Sequence, residues 1–350
     1  MRRPRLRAPG VPASSCRALT ATGAPDSVRL MSATIVAAPR DQAAIDWLLA
    51  SDEPGIRLQA RRDLLDDESP HVDAAAVLEG QLVRRLFSGQ RPDGGFGTNP
   101  YRKWDGAHWR LVSLVELGVP AGEPRALAAA ETVLDWLTGR AHRSRIATID
   151  GRTRRCASQE GNALAVCSRL GMADDRRVAL LAESLIGWQW PDGGWNCDRT
   201  PSASHSSFYE TRPPMWGLAE FARATGDAGA ASAARRAAEF FLQHRLFRSH
   251  TTGEVADPKW LALRYPEYWH YDYLHGLVML ARAGVLPDTR AQEAFSLLRE
   301  QQHDDGTWHA AGSPYWRRSE GVYWDPAQWE RSGPNRMLTL YALRVLPAAA

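Results

Sequence analysis

Four stretches of this chain gather residue types that do chemistry. They are Trp104-Asp105-Gly106-Ala107-His108-Trp109, Cys156-Ala157-Ser158-Gln159-Glu160-Gly161-Asn162, His205-Ser206-Ser207-Phe208-Tyr209-Glu210-Thr211 and Trp269-His270-Tyr271-Asp272-Tyr273-Leu274-His275. Each lies at the expected start of a helix. An ordinary helix start wants one capping Ser, Thr, Asp or Asn. Here acids, histidines and large aromatics cluster instead. A fifth equivalent stretch, Arg331-Ser332-Gly333-Pro334-Asn335-Arg336, carries no acid. Convergence of these places would make a concave, aromatic-lined pocket with a few polar groups, the usual form of a ligand site.

The acids admit two readings. Glu160 and Glu210 fall within the first turn of their helices. There a carboxylate gains about 0.3–1 kcal/mol from the helix dipole. At an apolar cavity wall, desolvation would instead raise its pKa toward that of a general acid. Asp272 and His275 are spaced i, i+3 and share a helix face, as a structural or a catalytic pair. The four cysteines, Cys16, Cys156, Cys167 and Cys197, form no C-x-x-C pair and read as free thiols. Gly-rich turns such as Asp93-Gly94-Gly95-Phe96-Gly97 lack a following Gly-Lys-Ser/Thr and a preceding strand, which excludes a nucleotide loop.

Positioning those stretches requires helices, and the body from Asp41 onward has helical period throughout. Two short helices fit 42–66 and a longer one 71–88. Further helices are expected over 108–117, 124–138, 157–170, 175–188, 206–224, 228–246, 271–283, 289–301 and 335–345. Pro213-Pro214 should kink the 206–224 helix or delay its start. No segment alternates as a strand, so the class is all-α. Residues 1–39 are rich in Arg, Pro, Ala and Ser without periodicity and read as a disordered tail or as a product of translation upstream of Met31. Residues 40–347 then form one domain.

Composition narrows the partners. Lysine occurs only at Lys103 and Lys259, so 41 of the 43 basic residues are Arg, as in a GC-rich bacterial genome. The net charge is +3, yet residues 1–40 hold seven Arg against one Asp. The body is therefore mildly acidic, which argues against nucleic acid. No apolar run reaches the roughly 18 residues of a membrane span, and a cytoplasmic location is expected.

Three turns repeat along the chain: Gln90-Arg91-Pro92-Asp93-Gly94-Gly95-Phe96, Gln189-Trp190-Pro191-Asp192-Gly193-Gly194-Trp195 and Gln302-His303-Asp304-Asp305-Gly306-Thr307-Trp308. In each, Gly permits a sharp reversal, the aromatic folds back on the preceding helix, and the Gln amide reaches open backbone groups. These turns resemble the Gln-Trp repeats of the terpenoid cyclase and protein prenyltransferase superfamily, in particular short squalene-cyclase-like bacterial members. The resemblance covers roughly residues 41–347. It implies an α/α toroid of five to six helical hairpins, with a central cavity lined by the inner helix starts.

That resemblance also implies an enzyme acting on an isoprenoid or similar apolar substrate. Trp104, Trp109, Phe208, Tyr209, Trp269 and Tyr271 would line its cavity and stabilise cationic intermediates. Glu160, Glu210 or Asp272 would supply acid or base, helped by His205 or His270. Prenyltransferases and lanthionine cyclases on related toroids bind zinc, for which Cys156, Cys197 and His205 are the candidate ligands. The chain departs from the family in lacking both the Asp-x-Asp-Asp motif and the Asp-Asp-rich diphosphate motif. Two alternatives stay open: a non-catalytic toroid that binds a lipid or peptide, and a carbohydrate-processing (α/α) barrel with Trp platforms and acid pairs.

Overall fold

Apolar side chains at helical spacing give fourteen α-helices among the described residues of this computed structural model, which describes residues 39–65, 67, 74–312, 325–330 and 332–346. The described residues are mainly helical, with two small two-stranded sheets. Helices α1 (Pro39–Leu49), α2 (Pro54–Leu64), α3 (Ala74–Leu78) and α4 (Gln81–Phe87) come first. They are followed by α5 (Ala107–Glu116), α6 (Pro124–Thr138), α7 (Arg140–Arg143), α8 (Ser158–Arg169) and α9 (Arg176–Trp188). The last are α10 (Phe208–Thr225), α11 (Ala228–Gln243), α12 (Tyr273–Arg282), α13 (Gln292–Glu300) and α14 (Arg336–Val345). No helix is long and apolar enough to cross a membrane among the described residues.

Two kinds of helix alternate. Every residue of α5 is buried, and α8, α10, α12 and α14 are nearly as deeply enclosed. By contrast α6, α9, α11 and α13 bury a single stripe, as Ala126, Ala129, Ala130, Val133, Leu134 and Leu137 do in α6. The buried helices touch in order: α5 packs on α8, α8 on α10, α10 on α12, α12 on α14 and α14 on α2. Helix α2 then meets the end of α5, where Gln59 Nε2 donates to Glu116 O at 3.1 Å. The striped helices bridge neighbours, α6 between α5 and α8, α9 between α8 and α10, and α11 between α10 and α12.

Each repeated turn ties the end of one striped helix to the next. Gln90 Nε2 donates to Gly94 O at 2.9 Å and Arg125 O at 2.8 Å. Gln189 Nε2 donates to Gly193 O at 2.7 Å and Ala233 O at 2.9 Å. Gln302 Nε2 donates to Gly306 O at 3.1 Å and to Asp41 Oδ1 at 2.9 Å, so the third turn holds α1. The Trp195 indole reaches back to Leu185 O and that of Trp308 to Leu298 O. Gly193 has φ 96°, and a Cβ there would stand 2.4 Å from Arg236 O. Only glycine satisfies both the turn and the approach.

Where the buried helices end, one carboxylate gathers several of them. Glu116 closes α5 and is 4% exposed. Its Oε2 accepts from Arg282 of α12 at 2.7 Å and its Oε1 from Arg169 of α8 at 3.2 Å, while Tyr341 of α14 donates its hydroxyl to Oε2. Burial alone would raise the Glu116 pKa, but Arg282 and Arg169 hold it below the ordinary value.

Local expectations were revised in four places. The helix expected over 71–88 is two, α3 and α4, broken at Gly80, because the Glu53 side chain takes Leu82 N–H at 2.8 Å and leaves no room for a Cβ at Gly80. Helix α10 runs unbroken through Pro213 and Pro214. Those prolines lie against Gly161 of α8, and Gly217 lies against Gly161 O, so two glycines let α8 and α10 approach closely. The 289–301 segment opens with a 3-10 turn, Thr289–Ala291. Strands were not expected, yet β1 (Ala147–Ile149) pairs β2 (Arg152–Arg154) and β3 (His309–Ala311) pairs β4 (Ser332–Pro334), both antiparallel. The tail over 1–39 lies outside the described residues except for Pro39, which begins α1, as do Met31, Arg331 and Pro347.

Replacing Glu116 by Gln leaves two half-buried guanidinium groups, Arg169 and Arg282, without their counter-charge. The variant is expected to lose about 3–5 kcal/mol in urea denaturation. A loss under about 1 kcal/mol would show that the carboxylate is incidental to the packing.

Candidate functional site

The starts of α5, α8, α10 and α12 carry the residues singled out in the sequence, and three of them meet. The Sγ atoms of Cys156 and Cys197 and a carboxylate oxygen of Glu210 all lie within 4.8 Å of one another. Local backbone bonds produce the meeting. Arg155 N–H donates to Asn196 O at 3.1 Å, one residue before each cysteine, and sets the two thiols side by side. Ser158 N–H, at the start of α8, donates to Glu210 Oε2 at 2.9 Å and draws the carboxylate in. It is the only such group of three among the described residues.

Protonation in this group is shared. The hydrogen bond between the thiols lowers the Cys156 pKa, with burial opposing, and the same bond together with burial pushes Cys197 far up. Burial raises the Glu210 carboxyl above its ordinary value, against the Ser158 backbone and hydroxyl bonds that favour its charged form. Helix starts favour anionic ligands, since unsatisfied N–H groups and the dipole point at them.

A second shell of charge surrounds the thiols. Arg155 donates to Glu160 Oε1 from Nε at 2.9 Å and to Gln159 Oε1 from Nη2 at 2.8 Å. His142 Nε2 stands 3.3 Å from the same Glu160 oxygen. Glu160 is 1% exposed, and its other oxygen, Oε2, is buried without a hydrogen-bond partner. Such an orphan acceptor is expensive unless something supplies a proton. Tyr101 stands close by, its hydroxyl pKa raised by burial and by the Glu210 charge.

The remaining candidates separate. Trp104 and Trp109 are buried in one aromatic cluster with Tyr268, and Trp104 stacks on Tyr268 at 4.3 Å. Half-buried Trp269 packs against that cluster and lies 5.7 Å, ring to ring, from Tyr209. His270 adjoins Trp269 at 4.1 Å, and burial followed by Lys103 brings its pKa down to about 3. Phe208 and Tyr271 belong to the main core instead. Phe208 packs on Phe240 and Trp260, and Tyr271 stacks on Phe241 and donates its hydroxyl to Leu246 O. Their spacing at a helix start could not distinguish cavity wall from core.

Two polar candidates are also placed elsewhere. His205 is exposed and does not join the cysteines, because Asp192 binds Ser206 through N–H at 2.7 Å and Oγ at 2.6 Å and fixes the loop there. Asp272 caps α12, accepting from His275 N–H at 3.0 Å, and its Oδ1 also lies 2.8 Å from His275 Nδ1. Its Oδ2 accepts from Arg264 N–H. On the other side His275 Nε2 stands 3.1 Å from Glu267, which Arg212 pairs at 3.1 Å. This chain of buried charges uses Asp272 as a strut.

Sequence reasoning passed over Lys103, Arg155 and Tyr101. The scarcity of lysine was the available signal for Lys103. A cavity of about 210 Å³ lies at the starts of α2, α4 and α14 and touches none of the Cys156 group. Its walls are hydrogen-bonded or ion-paired at Glu53, Arg85 and Arg336. No protein-family model matches the chain, and no curated protein matches it.

The buried charges set a pH dependence. Burial opposes charge on His275, but Asp272 and Glu267 raise its pKa from 6.5 to about 10. Its contribution to stability is full below pH 6.5 and is lost as pH rises toward 10. Glu116 and Glu267 are held below 4.5, so their contributions are full above pH 4.5 and fall as pH drops. Burial holds His270 and His108 neutral down to about pH 3, which costs stability as pH falls below 6.5, so melting temperature should peak near pH 6.5. In His275→Asn the alkaline decline should flatten; an unchanged decline would rule out His275 as its source.

Proposed function

We propose that the protein is an α/α-toroid enzyme whose site holds a zinc ion through Cys156, Cys197 and Glu210 and acts on an apolar small molecule. The toroid reading draws on the order of helix contacts, in which α2, α5, α8, α10, α12 and α14 would form the inner ring. Alternating outer helices and the three Gln-anchored turns, which are QW-like, support it. The resemblance to prenyltransferases and squalene cyclases supplies the substrate class.

The observation that carries the metal is the meeting of two thiols and a carboxylate from three separate segments within 4.8 Å. Zinc takes S and O ligands, and three protein ligands leave a tetrahedral ion one position for substrate, as catalytic sites require. The ion, when bound, would act as a Lewis acid toward a thiol, water or carbonyl at that position. The chain's own residues would do the rest. Glu160 Oε2 would accept the proton of a group bound beside Cys156, and Arg155 and His142 would keep that carboxylate in place. Tyr101, Tyr209 and Trp269 would face an apolar substrate.

Burial of Glu210 favours one other reading, in which it serves without metal as a general acid, as in a cyclase. The two separate on metal content. Protein purified without a His tag is expected to carry about one zinc per chain, lost in Cys156→Ala and Cys197→Ala and kept in His205→Ala. Cobalt substitution should give thiolate-to-metal absorption in the near ultraviolet. A metal-free protein that binds no cobalt would sink the zinc reading and leave the acid one.

A further inference from the structure

Lysine is nearly absent from this chain, with only Lys103 and Lys259 among 43 basic residues. Apart from His275, the enclosed ion pairs described above use guanidinium: Arg155 with Glu160, Arg212 with Glu267, Arg282 with Glu116. Guanidinium is the better clamp for an anion, being planar and permanently charged. An amine differs in one respect that matters for catalysis. It can give up its proton and then carries a nucleophilic lone pair.

The two lysines sit in opposite surroundings. Lys259 is exposed on a 3-10 turn, Pro258–Leu261. Lys103 is half-buried before α5, with Nζ 4.6 Å from the centre of the Trp269 ring and 5.4 Å from that of Trp104. Among the described residues it has no hydrogen bond and no ion pair with an acid. Its Nζ stands among the aromatic rings that pack around the start of α5. Burial lowers its pKa, against the influence of Cys156. A site that needed only a fixed positive charge here would be served by Arg, as everywhere else in the chain.

We infer that Lys103 is a nucleophilic amine that condenses with the carbonyl of an aldehyde or ketone bearing an aromatic or other apolar tail. The Nζ lone pair forms a bond to the carbonyl carbon. The carbonyl oxygen takes up both amine hydrogens and leaves as water, and an imine joins Lys103 to the substrate. Nothing is oxidised or reduced. The tail lies against the faces of Trp269 and Tyr209, whose rings are 5.7 Å apart. This role extends the proposed site without resting on its metal.

Reductive trapping tests it, with Lys259 as the internal reference. The full chain is treated with cinnamaldehyde and cyanoborohydride in the presence of a chelator, digested, and the two lysine peptides are compared by mass spectrometry. Lys103 is expected to carry about tenfold more adduct than Lys259. With formaldehyde, which has no tail, the preference should shrink, and Trp269→Ala should shrink it with cinnamaldehyde. Equal or greater labelling of Lys259 by cinnamaldehyde would overturn the inference. So would a preference that is the same for both aldehydes. Because the chelator is present throughout, a failure here is distinct from a failure to find zinc.

Discussion

A single buried carboxylate holds the buried helices together at one end. Glu116 closes α5 and receives Arg169 from the end of α8, Arg282 from the end of α12 and Tyr341 from α14, while its backbone oxygen receives Gln59 of α2. Removing a carboxylate from water is costly, and two guanidinium groups with good geometry are what offset it. The arrangement suits the helix ends on its own terms. Arginines at the last turns of α8 and α12 complement the negative end of each dipole. So the hub is electrostatically matched to the termini that build it, and it fixes the spacing of helices that are far apart in sequence.

Spacing at the rim is set by different means. The three Gln-anchored turns and their glycines tie successive helices together through Gln side-chain hydrogen bonds to Arg125 O, Ala233 O and the Asp41 carboxylate. The intervening joints use surface ion pairs, Arg177 with Glu131 and Asp135 between α9 and α6, and Arg290 with Glu239 beside α11. Exposed pairs of that kind are weak, whereas close glycine contacts, as at Gly193, are strict about geometry. The turns therefore act as the rigid joints and the ion pairs as the tolerant ones.

Much of this was legible in the sequence. Helical period gave most helices, and Asp-Gly-Gly-aromatic gave the turns, because both are local signals read over a few residues. The break at Gly80 was not, since it depends on Glu53 reaching across from another helix. Nor were the prolines of α10, which are accommodated by Gly161 of α8. The site divides the same way. That Cys156 and Glu210 sit at successive helix starts, with Cys197 in the loop between them, could be read, but their meeting depends on Arg155 pairing with Asn196, a contact between two loops. Asp272 and His275 were read as a pair from their i, i+3 spacing. Their service to a longer chain through Glu267 and Arg212 required the tertiary structure.

The same helices give the molecule its polarity. At their C-terminal ends, α5, α8, α12 and α14 are locked by Glu116 and by the pairing of Arg344 with Asp63 and Gln59. At their N-terminal ends, α5, α8, α10 and α12 carry Lys103, Cys156, Glu210 and His270 at or just before the first turn. Helix starts offer free N–H groups and positive potential, which stabilise a thiolate and a carboxylate drawn close together. Without that potential, three such groups within 4.8 Å would repel one another once ionised. Either a cation or retained protons must then complete the balance. The hub meets its charge with arginines of its own chain, whereas beside the thiol group Arg155 is hydrogen-bonded to Glu160. The hub is matched by two arginines, and under the proposed function a bound cation would supply the match at the thiol group.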